Sequence, residues 1–245
     1  PRFTEDYGPF AERALSAACP AANALLLGCR EPLGFRESET GEPGEEGDEW
    51  LPYLVPFRQR LFTVLQDRSR PLRARLAEFL ILCLLGDAVL ADAEQEGTAP
   101  EGLLTLEGGT LSGMLPEEGI FPAGFRLLAS LEVLEPDWRD VLARAGTAAP
   151  VPQDEALLER IAVYFAYRSV LKCVNDGDLL GRGLYTVFLT LAAERIAAVR
   201  GLGEALRRLS REVEHDADNV EALLTAFRED GAFDVGCFLW ELRNS

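Results

Sequence analysis

The stretch Leu157-Leu158-Glu159-Arg160-Ile161-Ala162-Val163-Tyr164-Phe165-Ala166-Tyr167-Arg168-Ser169-Val170-Leu171-Lys172-Cys173 decides the fold. Projected at about 100° per residue, Leu157, Ile161, Tyr164, Phe165 and Leu171 form one stripe, and Val163, Ala166, Val170 and Cys173 cover the opposite side. A helix that is apolar on every side must be covered by other elements, so residues 153–175 are predicted to form a central, buried helix. Arg168 and Lys172 fall inside the main stripe, one turn apart. A cation taken out of water needs a carboxylate, a carbonyl or a bound anion. Two readings stay open. The pair snorkels or meets an internal acid such as Asp176 or Glu214, or it forms a cationic pocket for a ligand bearing a carboxylate or phosphate.

Outward from this segment the chain reads as helices almost throughout, with no β-branched alternating run bounded by hairpin turns. Toward the C-terminus, helices are expected at 178–199, 202–229 and 232–243, with Asp178 as an N-cap and Gly177, Gly201, Gly203 and Gly231 as stops. Toward the N-terminus, the segment Gly146 to Pro152 is a break. A helix is expected at 123–145, an irregular Gly- and Pro-rich stretch at 97–122, and helices at 71–95 and 50–66. Residues 37–49 hold seven acids and three glycines and are predicted to be a solvated loop. Short helices fit 9–17 and 20–27, with Pro20 at a first helical position, where its missing N–H costs nothing. The expected architecture is an all-α helical bundle. It has an N-terminal half, 1–150, and a C-terminal four-helix half, 151–245, within one compact domain.

Composition narrows the function classes. The chain has 245 residues, 41 acids, 24 bases and a net charge of −17, which excludes a nucleic-acid binder, because phosphate contacts need clustered cations. His215 is the single histidine, so no site can be built from several imidazoles. Lys172 is the single lysine. The most apolar run, Phe79 to Leu85, is too short to span a bilayer, and nothing near Pro1 resembles a signal peptide. Cys19, Cys29, Cys83, Cys173 and Cys237 are dispersed, odd in number and free of Cys-x-x-Cys spacing, which points to a reducing, cytoplasmic compartment. The chain opens on Pro1-Arg2-Phe3 without an initiator methionine, which reads as a processed product or a fragment.

The second informative segment is Ser210-Arg211-Glu212-Val213-Glu214-His215-Asp216-Ala217-Asp218-Asn219. Its helix is expected to bury Leu202, Leu206, Leu209, Val213, Val220, Leu224 and Phe227. Arg211, His215 and Asp218 then share the opposite face, with Ser210 and Glu214 on its flank. Such a face can orient a nucleophile or deprotonate an amine, and it can equally be a solvated face laced with i, i+4 pairs. Other motifs are weaker. Asp176-Gly177-Asp178 lacks the continuation of a calcium loop, Gly181 to Gly183 has no preceding strand, and no nucleophile elbow, Walker motif or dinucleotide fingerprint is present.

Tyr164-Phe165-Ala166-Tyr167-Arg168-Ser169-Val170-Leu171-Lys172, followed by Asp176-Gly177-Asp178-Leu179-Leu180, resembles the C-terminal half of the bacterial flagellin lysine-N-methylase family. Ser210-Arg211-Glu212-Val213-Glu214-His215 with Asn219 matches the same family at the expected distance downstream, and Ser16-Ala17-Ala18-Cys19-Pro20-Ala21-Ala22 is similar to its Ser-x-x-Cys-Pro-x-Ala segment. The likeness runs nearly end to end, although residues 30–150 carry no matching motif. In that family a cysteine-rich, metal-chelating region comes first, and Pro1-Arg2-Phe3 looks like the tail of its junction.

The resemblance implies methylation of lysine ε-amines on flagellin or a related surface protein, with S-adenosylmethionine as methyl donor. It also implies an iron–sulfur or zinc cluster ligated mostly by the region absent from this chain. By position Cys19 is the candidate metal ligand here, and a packed cysteine at a helix N-terminus is the other reading of it. Tyr167, Arg168, Lys172, Ser210, Arg211, Glu214, His215 and Asn219 are the implied site residues. Arg168 and Lys172 would anchor a carboxylate, and Glu214 or His215 would accept the proton that a lysine ammonium must lose before it attacks a methyl group. The alternative is that these residues knit the last helices together in a non-enzymatic all-α module, whose acidic surface and 37–49 loop bind a basic protein partner.

Overall fold

The computed structural model describes residues 48–109, 119–149 and 151–244. The expected helices at 9–17 and 20–27, most of the 37–49 loop, Cys19 and Cys29 lie outside them. The described residues hold ten α-helices: α1 (Leu51–Leu65), α2 (Leu72–Glu96), α3 (Gly102–Thr105), α4 (Phe121–Ser130), α5 (Trp138–Thr147), α6 (Glu155–Ser169), α7 (Leu179–Arg200), α8 (Leu202–Leu209), α9 (Ala217–Glu229) and α10 (Val235–Asn244). No strand occurs among the described residues, and the fold is all-α.

The periodicities explain the elements. Helix α1 buries Leu54, Phe57, Leu61, Phe62 and Leu65 along one stripe. Helix α6 buries every residue from Leu158 to Tyr167, as its all-round apolarity requires. The more central position nevertheless belongs to α7, which buries 16 of its 22 residues and packs against α2, α5, α6, α8 and α9. Its start is fixed as expected, since Asp178 accepts a hydrogen bond from the Gly181 N–H. It crosses α2 so closely that a Cβ on Gly183 would lie 2.8 Å from Cys83 Cβ, and only glycine permits that approach. Phe188 of α7 leads a cluster of edge-to-face rings with Phe227 and Phe233, at centroid separations of 5.5 and 6.4 Å, and Phe227 meets Phe238 at 6.0 Å. The hydrophobic core is continuous across residue 150.

Two expected helices are each broken. The 123–145 segment forms α4 and α5, separated by Leu131–Asp137. Pro136 disfavours helix there. The N–H groups of Glu132, Leu134 and Glu135 are also taken by side chains of a distant segment rather than by the helix ladder. The 202–229 segment forms α8, a π-helical turn (Ser210–Glu214) and α9, because Asp216 caps a new helix by accepting from the N–H groups of Asp218 and Asn219. The end of 153–175 also changes character, tightening into a 3₁₀ stretch (Val170–Val174) that carries Lys172 out to the surface.

One buried charge ties α1, α2 and α6 together. Glu159 has no exposed surface. It accepts from Arg68 Nε and Nη2 at 2.9 Å each and from Arg75 Nη1 at 2.7 Å, while Arg75 also donates to the Leu65 carbonyl at 2.5 Å. One turn earlier on α6, Glu155 accepts from the Leu72 N–H, one of the orphan donors at the start of α2. Replacing Glu159 by Ala leaves the buried Arg75 with only the more exposed Glu155 as its anion, at 3.5 Å, and we expect a loss of about 3 kcal/mol in unfolding free energy, read from the urea midpoint. Arg70→Ala, which removes more exposed pairs to Asp67 and Glu78, is expected to cost less than about 1 kcal/mol in the same titration.

Candidate functional site

The two segments singled out in the sequence meet at Glu214. Helix α6 presents Tyr164 and Arg168, its 3₁₀ continuation presents Lys172, and the π-helical turn presents Ser210 and Glu214. The buried Tyr164 hydroxyl donates to Glu214 Oε2 at 3.4 Å, and Ser210 hydrogen-bonds the same carboxylate. Arg168, half-buried, and Lys172, exposed, supply the neighbouring positive charge. Glu214 is the internal acid the sequence offered these cations. Asp176, the other candidate, pairs with Arg182 instead.

Burial raises the pKa of Glu214 above the usual carboxylate range, and Arg168, Tyr164, Ser210 and Lys172 oppose that rise. The same desolvation pushes the Tyr164 and Tyr185 hydroxyls well up, and in both the charge of Glu214 adds to it. Lys172 is lowered by partial burial and by its like-charged neighbours Arg168 and Arg182. The arrangement is therefore a carboxylate more basic than ordinary, beside an amine more acidic than ordinary. Chemically it can accept a proton and can hold an anion.

The π-helical turn is held from its far side. Its wider winding is visible in the bond from the His215 N–H to the Ser210 carbonyl at 3.1 Å, one residue longer than an α-helical bond. Glu212, buried, accepts from the N–H groups of Leu134 and Glu135 at 2.8 and 2.9 Å. Asn219 donates to the carbonyls of Glu132 and Glu212 at 2.9 and 2.7 Å and accepts from the Glu132 N–H at 3.0 Å. Arg211 reaches Glu135 at 3.0 Å, and Arg207 and Arg208 fasten the same segment through Glu135 and Asp137. The Leu131–Asp137 connection thus serves as a splint for the turn that carries Glu214.

The structure brings together Arg168, Lys172, Ser210 and Glu214 out of the expected set. It places the others elsewhere. Tyr167 points to the opposite side of α6, where the Arg58 guanidinium sits 4.9 Å from its ring centre. Arg211 and Asn219 face the 131–137 connection, and His215 lies exposed at the end of the turn. The expected shared face of Arg211, His215 and Asp218 does not form, because the π-helical turn and the Asp216 cap break the projection.

Tyr164, Tyr185, Arg182 and Glu212 complete the neighbourhood and were not among the expected site residues. Tyr164 lies one turn before Arg168, a spacing that places it on the same face. Arg182 and Tyr185 reach the site only through the packing of α7. Cys83, Cys173 and Cys237 are buried, as packed thiols are, and burial pushes Cys173 up to about 12.

No protein-family model, curated protein or solved structure matches the chain.

Glu214 carries a pH signature. Its folded-state pKa lies above the unfolded value, so its contribution to stability is fully present in acid and is lost as pH rises through the folded value. Glu214→Gln is therefore expected to raise the melting temperature at pH 7–8, by a few degrees at most, and the difference should vanish below about pH 4. A melting series of both proteins across pH reads this directly. A variant that is less stable at neutral pH, with the gap closing in acid, would show that the cations outweigh burial.

Proposed function

We propose that this chain is the helical part of a protein-lysine N-methylase acting on flagellin or a related surface protein. The observation that carries the reading is the convergence of Tyr164, Arg168, Lys172 and Ser210 on the Glu214 carboxylate, from the two segments in which the family resemblance lies. Methyl transfer to an amine requires that the amine be neutral when it attacks, and a carboxylate with a raised proton affinity next to the attacking nitrogen serves that need. Glu214 takes this role ahead of His215, which stands in solvent with no acid–base partner converging on it. Arg168 and Lys172 hold an anionic group of the donor, as paired cations at a partly dry site do. S-adenosylmethionine supplies the methyl group when bound, and its carboxylate is the group these cations would hold.

Cys19, the ligand that the resemblance assigns to this chain for an iron–sulfur or zinc cluster, lies outside the described residues. Among the described residues no group of three or more His, Cys, Asp or Glu is placed to hold a metal ion. No step is assigned to such a cluster here. No described helix is long and apolar enough to cross a membrane.

The reading is tested by joining this chain to a cysteine-rich region of the family type, reconstituting it anaerobically, and following flagellin lysines by mass spectrometry. Glu214→Gln is expected to lower the methylation rate by about 10²-fold or more, and His215→Gln to leave it within about twofold. Lys172→Arg should retain more activity than Lys172→Gln, because the cation is kept. A Glu214→Gln protein that methylates at the parent rate would remove the assigned role.

A further inference from the structure

A concave feature lies at the Asp176–Asp178 turn. It is a cleft of about 550 Å³ between α2, the start of α7, and the junction of α9 with α10. Leu90, Leu184, Phe227 and Phe233 line its apolar part. Asp87, Glu94, Glu229, Asp230 and Asp234 stand around it. Among the described residues none of these five carboxylates forms an ion pair, whereas Asp176 and Asp178, also at the cleft, pair with Arg182 and Arg228. The one cation at the cleft, Arg228, is already matched by Asp178 at 2.9 Å and Glu221 at 2.8 Å. Asp87 is half-buried and accepts only backbone N–H groups, and Asp178 and Asp176 add like charge to it.

The chemistry of the lining selects the occupant. The carboxylates are spread round the cleft and do not converge, and no described group is placed to hold a metal ion. An apolar floor beneath separated anions matches a long side chain with an aliphatic stem and a cationic head, whose stem covers the floor while the head meets the rim. The volume admits more than one side chain. We propose that this cleft docks a basic segment of a partner protein, one carrying a lysine or arginine next to an apolar residue. The assignment rests on the cleft alone and holds whether or not the chain takes part in methyl transfer. Charge complementarity of this kind speeds encounter and fixes orientation.

The test uses fluorescent twelve-residue peptides that alternate Lys with Leu, Glu with Leu, and Lys with Gly, titrated with the full chain by anisotropy at low salt. The Lys–Leu peptide is expected to bind, and each of the other two to bind at least about tenfold more weakly. Removing three rim charges with Glu94→Gln, Asp230→Asn and Asp234→Asn should weaken the Lys–Leu peptide by about tenfold or more. The two Asn replacements keep the backbone caps that Asp230 and Asp234 make to Ala232 and Gly236, so the fold is retained. Circular dichroism checks that retention. A control with the same loss of charge elsewhere, Glu101→Gln, Glu132→Gln and Asp140→Asn, should bind within about twofold of the parent. Carbodiimide cross-linking of the bound peptide should map to Glu94, Asp230 or Asp234. Equal weakening in the control, equal binding of the Lys–Gly peptide, no binding at all, or cross-links confined to other acids would each overturn the proposal.

Discussion

A helix with sixteen of its twenty-two residues buried has no solvent face to give away. Helix α7 must be covered in every sector, and that requirement distributes the rest of the molecule: α2, α5, α6, α8 and α9 each take a side. The close crossing at Gly183 and the ring cluster around Phe188 show how tightly two of those sectors are filled. Because α7 is fixed on all sides, the turns at its two ends are fixed too. The candidate site and the acidic cleft flank the turn at its N-terminal end.

That dependence explains which parts of the fold could be read from residues alone. Apolar periodicity gave α1, α2 and α7 to within a residue and the start of α6 to within two, since these helices bury what their sequences offer. Gly177 and Gly201 do take the left-handed backbone that ends helices. The two misread helices break at Pro136 and at the Asp216 cap, and a long-range exchange joins the two breaks. The backbone N–H groups of Glu132, Leu134 and Glu135 find their partners on Glu212 and Asn219, about eighty residues away, and a local pattern carries no trace of that exchange. Central placement was likewise assigned to α6 because its apolarity is complete, although α7 is longer and touches more elements.

The site was legible in the same partial way. Arg168, Lys172, Ser210 and Glu214 were named from the sequence, and they meet. Arg211, His215 and Asn219 were grouped with them by an α-helical projection that a π-helical turn invalidates. That one change of winding separates two acids with different work. Glu212 turns toward the 131–137 connection and satisfies backbone donors, and Glu214 turns toward Tyr164 and the cations. Two carboxylates two residues apart thus divide into one that holds the turn in place and one that is available for chemistry.

The ionic node at Glu159 has a consequence for how the chain reaches this structure. Arg68 and Arg75 lie 91 and 84 residues upstream of the acid that neutralises them. During synthesis, α1 and α2 emerge from the ribosome long before α6 exists, with Arg75 still lacking the anion that permits its burial. The entropic cost of closing so long a loop is offset only when α6 docks. The node therefore joins segments far apart in sequence, and it is complete only when α6 is in place against α1 and α2.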